Sequence, residues 1–315
     1  TEGWAARDWL GPRLGCRPWR WFAGLMLGLA IGTKWSGLYF LAVFGLLTVL
    51  WDVGARRAVG LRKPRYAAAR RDGIPAFFTI VPLAAVTYLG SWWGWFVSEH
   101  GYNKGWAAGH PVTSTWAWVP DDLRSWWDYQ GQILDFHRGL ATPHSYQSHP
   151  WSWIVMGRPT SMFAEYPKLG EDGCTVDMCA KAITPIGTPT IWWVGVGAVL
   201  LLLFRWALGR DWRAGAILAG YAGGYLPWFV VGDRTIYQFY AVAFVPYVVL
   251  AVTYLIGVVL GPPGCSRERR QVGAAAVGCF LVLTALVFAW FLPLYTAQVI
   301  PYRQWWLHMW FPSWV

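Results

Sequence analysis

Residues 19–51 read WRWFAGLMLGLAIGTKWSGLYFLAVFGLLTVLW. This is one apolar run of about thirty residues with a lysine, Lys34, near its middle. A single helix crosses a bilayer with about 20 apolar residues, so the run is too long for one simple span. Arg7, Arg13, Arg17 and Arg20 lie before it or at its start, and Arg56, Arg57, Arg62, Lys63, Arg65, Arg70 and Arg71 follow it. Positive charge marks the cytoplasmic side of a membrane segment, and two cytoplasmic ends require an even number of crossings. The run therefore predicts two short antiparallel helices with Lys34 at the turn on the far side. Each half has about 15 residues and is roughly 22 Å long, shorter than the hydrocarbon core. The turn is then expected below the outer surface, lining a recess. A single tilted, kinked helix is the alternative, and it breaks the charge pattern on one side. Gly24, Gly28 and Gly32 recur every four residues, a face that lets helices pack closely.

Composition agrees with a membrane chain. Of 315 residues, 56% are hydrophobic, 18% aromatic and only 13% charged, and the apolar residues come in blocks. A net charge of +10 suggests nucleic acid in a soluble protein, but here the excess sits in short loops between apolar blocks. Many of the 26 tryptophans stand at block edges, where aromatic belts form. The sequence starts at Thr1 without an initiator methionine, and the expectation is a C-terminal part of something longer.

Further apolar blocks run over residues 75–97, 190–208, 214–231, 237–260 and 272–294. With the hairpin they make about seven transmembrane helices, an all-α polytopic membrane protein with a large extracytoplasmic loop. Arg205, Arg210 and Arg213, then Arg267, Arg269 and Arg270, fall in loops on the same side as the first arginines. The expected organisation is a short cytoplasmic start, a hairpin and a third span over 1–97, an outer loop over 98–189, and a four-span membrane domain with an outer tail over 190–315. Within the outer loop, Asp121–Arg138 has its aliphatic and aromatic residues at helical spacing. It reads as an amphipathic helix lying on the membrane surface.

The chain has no P-loop, no H-E-x-x-H, no G-x-G-x-x-G and no D-x-D pair. A metal-diphosphate sugar donor is therefore not indicated, whereas a lipid-monophosphate donor needs a cationic cradle. A charge inside the membrane is a functional-site hypothesis by default, and an ammonium such as Lys34 binds phosphate as a point charge. The other reading of Lys34 is a paired or snorkelling side chain. Arg234 lies in the short outer turn GDRT and is a candidate second cation, or else a rim arginine paired with Asp233. Gln238 and Tyr240 follow close behind.

Residues 144–153, HSYQSHPWSW, interleave polar groups with aromatics, and Gly157-Arg158-Pro159 comes soon after. Such a stretch suits a sugar or peptide, or serves as an interfacial anchor. His149, Trp151 and Arg158 are the candidates there. His144 and His149 form only a weak metal motif, because no carboxylate or thiol ligands cluster with them. Cys174 and Cys179, separated by four residues, are expected to form a local disulfide in an oxidising compartment. No outer carboxylate has a motif that marks it as a general base.

Three stretches together resemble one family: GLMLGLAIGTKWSGLYFLAVFGLLTVLWD (24–52), HSYQSHPWSWIVMGRP (144–159) and GDRTIYQFYAVAFVPY (232–247). They are similar to bacterial-type members of the dolichyl-phosphate-mannose–protein mannosyltransferase family, within the GT-C class. The resemblance covers nearly the whole chain but only the C-terminal part of the family. It implies an eleven-span fold with a cytoplasmic N-terminus and an outer C-terminus, of which seven spans are here. It implies transfer of mannose from a polyprenyl-phosphate carrier to Ser or Thr hydroxyls of proteins crossing the membrane. The family's catalytic Asp-Glu pair lies in a first outer loop that this sequence does not contain, so no catalytic residue is carried over. The implied donor-phosphate residues are Lys34 and Arg234, with no metal and no cofactor. The expected partners are the lipid-linked donor, a translocating acceptor protein and membrane lipid. Another lipid-linked GT-C transferase acting on a glycolipid or polysaccharide, or a transporter, are the alternatives.

Overall fold

A computed structural model describes residues 10–12, 15, 17–112, 115–231 and 234–315. The chain divides into two compact units, Thr1–Leu140 and Ala141–Val315.

In the first unit, Pro18 opens α1 (Pro18–Thr33), where its missing N–H costs nothing. The helix stops at Lys34, whose backbone is extended, with its N–H on the Ala30 carbonyl at 3.0 Å. Helix α2 (Gly37–Ala58) then runs back. The hairpin and its turn at Lys34 stand where the sequence put them. Helix α1 has 16 residues, but α2 has 22 rather than about 15. It continues past Trp51 because its polar inner residues are neutralised. Asp52, 1% exposed, accepts from Arg17 at 2.8 Å and from Arg20 at 2.7 Å, and Arg56 pairs with Asp72. Arg7 and Arg13 lie outside the described residues.

Helix α3 (Pro64–Ser91) starts well before the expected Pro75. A π-helical turn at Ala69–Gly73 swings Asp72 inward to Arg56, so the helix carries charged residues without breaking. The glycine stripe of α1 packs on α3. A Cβ on Gly28 would stand 2.5 Å from the Thr87 Cβ and 2.6 Å from the Ala84 carbonyl oxygen, and one on Gly24 would stand 2.8 Å from the Ile80 oxygen. After the short α4 (Trp93–Val97) comes α5 (Asp121–Gly139), the expected amphipathic helix. Acids in its first turn and His137 and Arg138 in its last complement the helix dipole. Its Trp126 packs on Tyr88 and Trp92 of α3 and beyond, at 6.0 and 6.3 Å between rings.

The second unit opens with α6 (Pro150–Trp153), β1 (Phe163–Glu165) and β2 (Cys179–Ile183). Four helices follow: α7 (Pro189–Ala207), α8 (Trp212–Tyr225), α9 (Val245–Leu260) and α10 (Arg267–Tyr295). Strand β3 (Val299–Pro301) and α11 (Tyr302–His308) end the unit with a final 3-10 turn. The strands form an antiparallel sheet in the order β1-β2-β3. Gly187, just before α7, holds φ +75°, and a Cβ there would meet the Trp192 indole nitrogen at 2.5 Å. Only glycine fits that turn.

Among the described residues, four helices are long and apolar enough to cross a membrane: Gly37–Ala58, Pro64–Ser91, Pro189–Ala207 and Arg267–Tyr295. The other expected spans are shorter helices. Helix α8 has 14 residues and continues as a 3-10 turn, Leu226–Phe229, because Pro227 cannot donate to the α ladder. Helix α9 has 16 residues and is preceded by the 3-10 turn Gln238–Ala243. The core of the unit is aromatic: Trp153, Phe244 and Phe291 are fully buried, and the Trp314 indole closes over it onto the Met156 carbonyl at 2.6 Å.

The segment 98–189, expected as one loop, is shared between the units. Its helix α5 packs on α3, while residues from Ala141 onward join the second unit.

Candidate anion-binding cleft

Two loops of the second unit are laced together. The Ser148 N–H reaches the Ile236 carbonyl at 2.9 Å, and the Thr235 hydroxyl reaches the Thr142 carbonyl at 2.5 Å. The Arg158 N–H reaches the Gln238 Oε1 at 3.0 Å. The His144 ring meets the Tyr237 ring edge-on at 5.4 Å. Local sequence explains the first loop. Pro150 starts α6 at its first turn, and His149 caps it, the ring Nδ1 accepting from the Trp151 N–H at 3.3 Å. Trp153 drops into the core and donates to the Ser148 hydroxyl at 2.9 Å, while the Tyr225 hydroxyl holds the Pro150 carbonyl at 3.0 Å.

Between the loops lies a cleft of about 330 Å³, lined by Ala141, Pro143, Gln147, Ser148, His149, Arg234, Thr235 and Ile236. Among the described residues that line it, none is a carboxylate. The Arg234 guanidinium donates to the Tyr240 hydroxyl. Its Nε is buried and has no partner among the described residues. A buried charged donor left unmade is expensive, so the cleft is poised for an acceptor. With Nδ1 used as an acceptor, a neutral His149 ring carries its proton on Nε2 and is a donor. The cleft therefore offers a guanidinium, an imidazole, an amide and hydroxyls, a set that binds an anion or a hydroxyl-rich ligand.

The structure distributes the candidate residues unevenly. Arg234 and His149 line one cleft, with Tyr240 against Arg234. Trp151 is 67% exposed beside His149, its ring 4.8 Å from Phe229. Gln238 is buried and holds the backbone of Arg158. The Arg158 side chain is committed elsewhere. It donates to the backbone oxygens of Ser145, Ser313 and Val315 and stacks over Tyr146 at 4.9 Å. Cys174 and Cys179 are joined, Cα to Cα 5.9 Å, at the start of β2. Asp233, the suggested partner of Arg234, lies outside the described residues. Lys34 belongs to the first unit, exposed at the hairpin turn. Among the described residues no group of three His, Cys, Asp or Glu is placed to hold a metal ion. Gln147, Ser148 and Thr235 were not singled out from sequence, since common polar residues in loops carry no spacing signal.

Residues 122–314, which hold α5, the laced loops and all four helices α7–α10, match the family model described as the C-terminal four TMM region of protein-O-mannosyltransferase. The chain belongs to the protein O-mannosyltransferase family. As a member of that family it is a multi-pass membrane protein. It is 37% identical over 315 residues to the polyprenol-phosphate-mannose–protein mannosyltransferase of Mycobacterium tuberculosis, covering 98% of this chain and 60% of that relative. The protein of the same name from Corynebacterium glutamicum is 35% identical over 320 residues, covering 100% and 61%. Dolichyl-phosphate-mannose–protein mannosyltransferase 1 of Saccharomyces cerevisiae is 25% identical over 197 residues, covering 55% of this chain and 22% of that relative. The chain thus spans about 60% of the length of the mycobacterial relative. No solved structure matches.

Proposed function

We propose that this protein O-mannosyltransferase chain is part of an enzyme that moves mannose from a polyprenyl-phosphate-mannose donor to Ser or Thr hydroxyls of proteins at the outer face of the cell membrane. The observation that carries the reading is the cleft lined by Arg234, His149, Gln147 and Ser148, in which the buried Arg234 Nε has no partner among the described residues. The names of the relatives, which specify a polyprenol-phosphate-mannose donor and a protein acceptor, point the same way.

In the proposed reaction the acceptor hydroxyl attacks the mannose anomeric carbon on the face opposite the phosphate. The bond from that carbon to the phosphate oxygen breaks, and polyprenyl phosphate leaves with the electron pair. The hydroxyl proton passes to a carboxylate supplied from outside this chain. Arg234 in the second unit and, as a separate candidate in the first unit, Lys34 are the cations proposed to stabilise the charge that grows on the phosphate, which is where preorganised donors lower a barrier most. His149, through Nε2, and Trp151 contact the sugar or the acceptor. The scheme calls for no metal or cofactor. The positive loops support a cytoplasmic start of α1 and an outer tail after α10, the side on which translocating acceptor proteins would emerge.

The test is transfer by the full-length protein in membranes, with labelled polyprenyl-phosphate mannose and a Thr-rich peptide. Mannosyl peptide is the expected product, formed without a nucleotide sugar. Label that enters glycolipid or polysaccharide and never peptide would contradict the reading and favour another lipid-linked GT-C transferase.

A further inference from the structure

The hairpin turn that carries Lys34 is tied down by the residue beside it. The Trp35 indole N–H donates to the Tyr88 hydroxyl on α3 at 2.8 Å. The Tyr88 hydroxyl donates in turn to the Gln130 Oε1 on α5 at 2.6 Å. The direction of the first bond is fixed by chemistry. An indole N–H can only donate, so it occupies a lone pair of the Tyr88 oxygen, and the phenol proton is left to go to the Gln130 Oε1. That choice sets the Gln130 amide, whose Nε2 is buried without a partner among the described residues. The rings around the relay leave little room for another arrangement: Tyr88 meets Trp92 at 6.4 Å and Trp126 at 6.0 Å. All these residues lie in the first unit.

Backbone bonds shape the turn: the Gly37 N–H reaches the Lys34 carbonyl at 2.9 Å and the Leu38 N–H the Trp35 carbonyl at 3.0 Å. Lys34 ends α1 with an extended backbone, and α2 restarts at Gly37 without a side-chain cap. Gly37 lies so close to α1 that a Cβ there would meet the Ile31 backbone nitrogen at 2.7 Å. The Trp35 indole adds a side-chain tether from the tip to α3.

We propose that Tyr88 and Gln130 are positioning residues for Lys34: through Trp35 they fix the turn from which the Lys34 ammonium reaches the donor phosphate, and they make that position depend on the seating of α5. This rests on the reading of Lys34 as a phosphate-binding residue. The tether also gives α5 a task besides covering apolar surface. A ligand or acceptor that shifts α5 pulls on Gln130, and through Tyr88 on the turn.

The experiment measures donor and acceptor KM for the full-length protein in vesicles with Lys34→Ala, Tyr88→Phe, Gln130→Ala and the Tyr88→Phe/Gln130→Ala double variant. Tyr88→Phe keeps the ring and removes both hydrogen bonds. Tyr66→Phe, on the same helix with an exposed hydroxyl bonded to Arg70, is the control. The proposal expects about a tenfold rise in donor KM for Tyr88→Phe, an unchanged acceptor KM, and a double variant no worse than Tyr88→Phe alone, as for members of one relay. Tyr66→Phe stays at the wild-type value. Should Tyr88→Phe fail to reach the membrane, Gln130→Ala alone carries the same expectation with a smaller rise. A crippled Lys34→Ala beside relay variants with wild-type donor KM overturns the positioning role and leaves the phosphate reading standing. A Lys34→Ala variant with normal donor KM overturns the phosphate reading itself.

Discussion

Arg56 and Asp72 face each other in a two-point ion pair, at 2.6 and 3.1 Å, with both side chains only 3% exposed. Arg56 also holds the backbone oxygens of Leu10 and Pro12. The pair thus clasps α2, the π-turn of α3 and the segment that leads into α1. Removing one partner of a buried pair leaves an uncompensated charge and costs about 3–5 kcal/mol. Asp72→Leu is expected to lower the thermal midpoint of the detergent-solubilised protein sharply. The double change Arg56→Met with Asp72→Leu is expected to recover part of the loss.

The contact of α1 with α3 leaves no space at Gly28. Gly28→Ala places a methyl group 2.5 Å from Thr87 and 2.6 Å from a backbone oxygen. Backbone cannot swing aside as a side chain can, so the expected loss is about 1–3 kcal/mol. Gly45, with nothing within 4 Å of a built Cβ, is the matched control. Thermal unfolding of the two alanine variants separates them.

Much of this architecture was legible in sequence. The charge flanks of residues 19–51 gave the hairpin and the place of its turn, and the spacing in Asp121–Arg138 gave α5. What misled was the assumption that charge ends a span. Asp52, Arg56 and Asp72 look like span ends in sequence, yet each is neutralised by a partner too far along the chain for any local pattern to show. The same limit hid the cleft. Arg234 and His149 were each visible as candidates, but the backbone pairing of Ser148 with Ile236 that brings them together leaves no trace in residue type. Arg158 and Gln238 were also visible as candidates, but their hydrogen bonds to loop backbone, from Arg158 to Ser145 and Ser313 and from the Arg158 N–H to Gln238, leave no trace in residue type either.

Asp211 gives a pH signature at the other end of the second unit. The Tyr254 hydroxyl donates to it at 2.6 Å, and it caps α8 by accepting from the Arg213 N–H at 2.9 Å. These bonds hold its carboxyl below the usual carboxylate value, with the Tyr254 bond the largest cause. A depressed folded pKa means that its stabilising contribution is present above about pH 4 and lost as pH falls through the lower folded value. Asp211→Ala is therefore expected to cost about 1 kcal/mol at neutral pH. Its difference from wild type should shrink when unfolding is followed below pH 4.

Cys174 and Cys179 are bonded, and the bridge closes the loop that leads into β2. Mass spectrometry after maleimide labelling of the protein from membranes, unfolded without reductant, is expected to find neither residue modified. After reduction both should carry the label. Labelling of either before reduction would contradict the bridge.

The account centres on Arg234 as the cation that meets the donor phosphate. The most direct measurement is the apparent donor KM of Arg234→Ala in reconstituted vesicles, with Arg234→Lys beside it. Loss of one charge-assisted contact predicts a rise of tenfold or more for alanine, partial recovery for lysine, and an unchanged acceptor KM. A donor KM equal to wild type in the alanine variant would contradict the assignment.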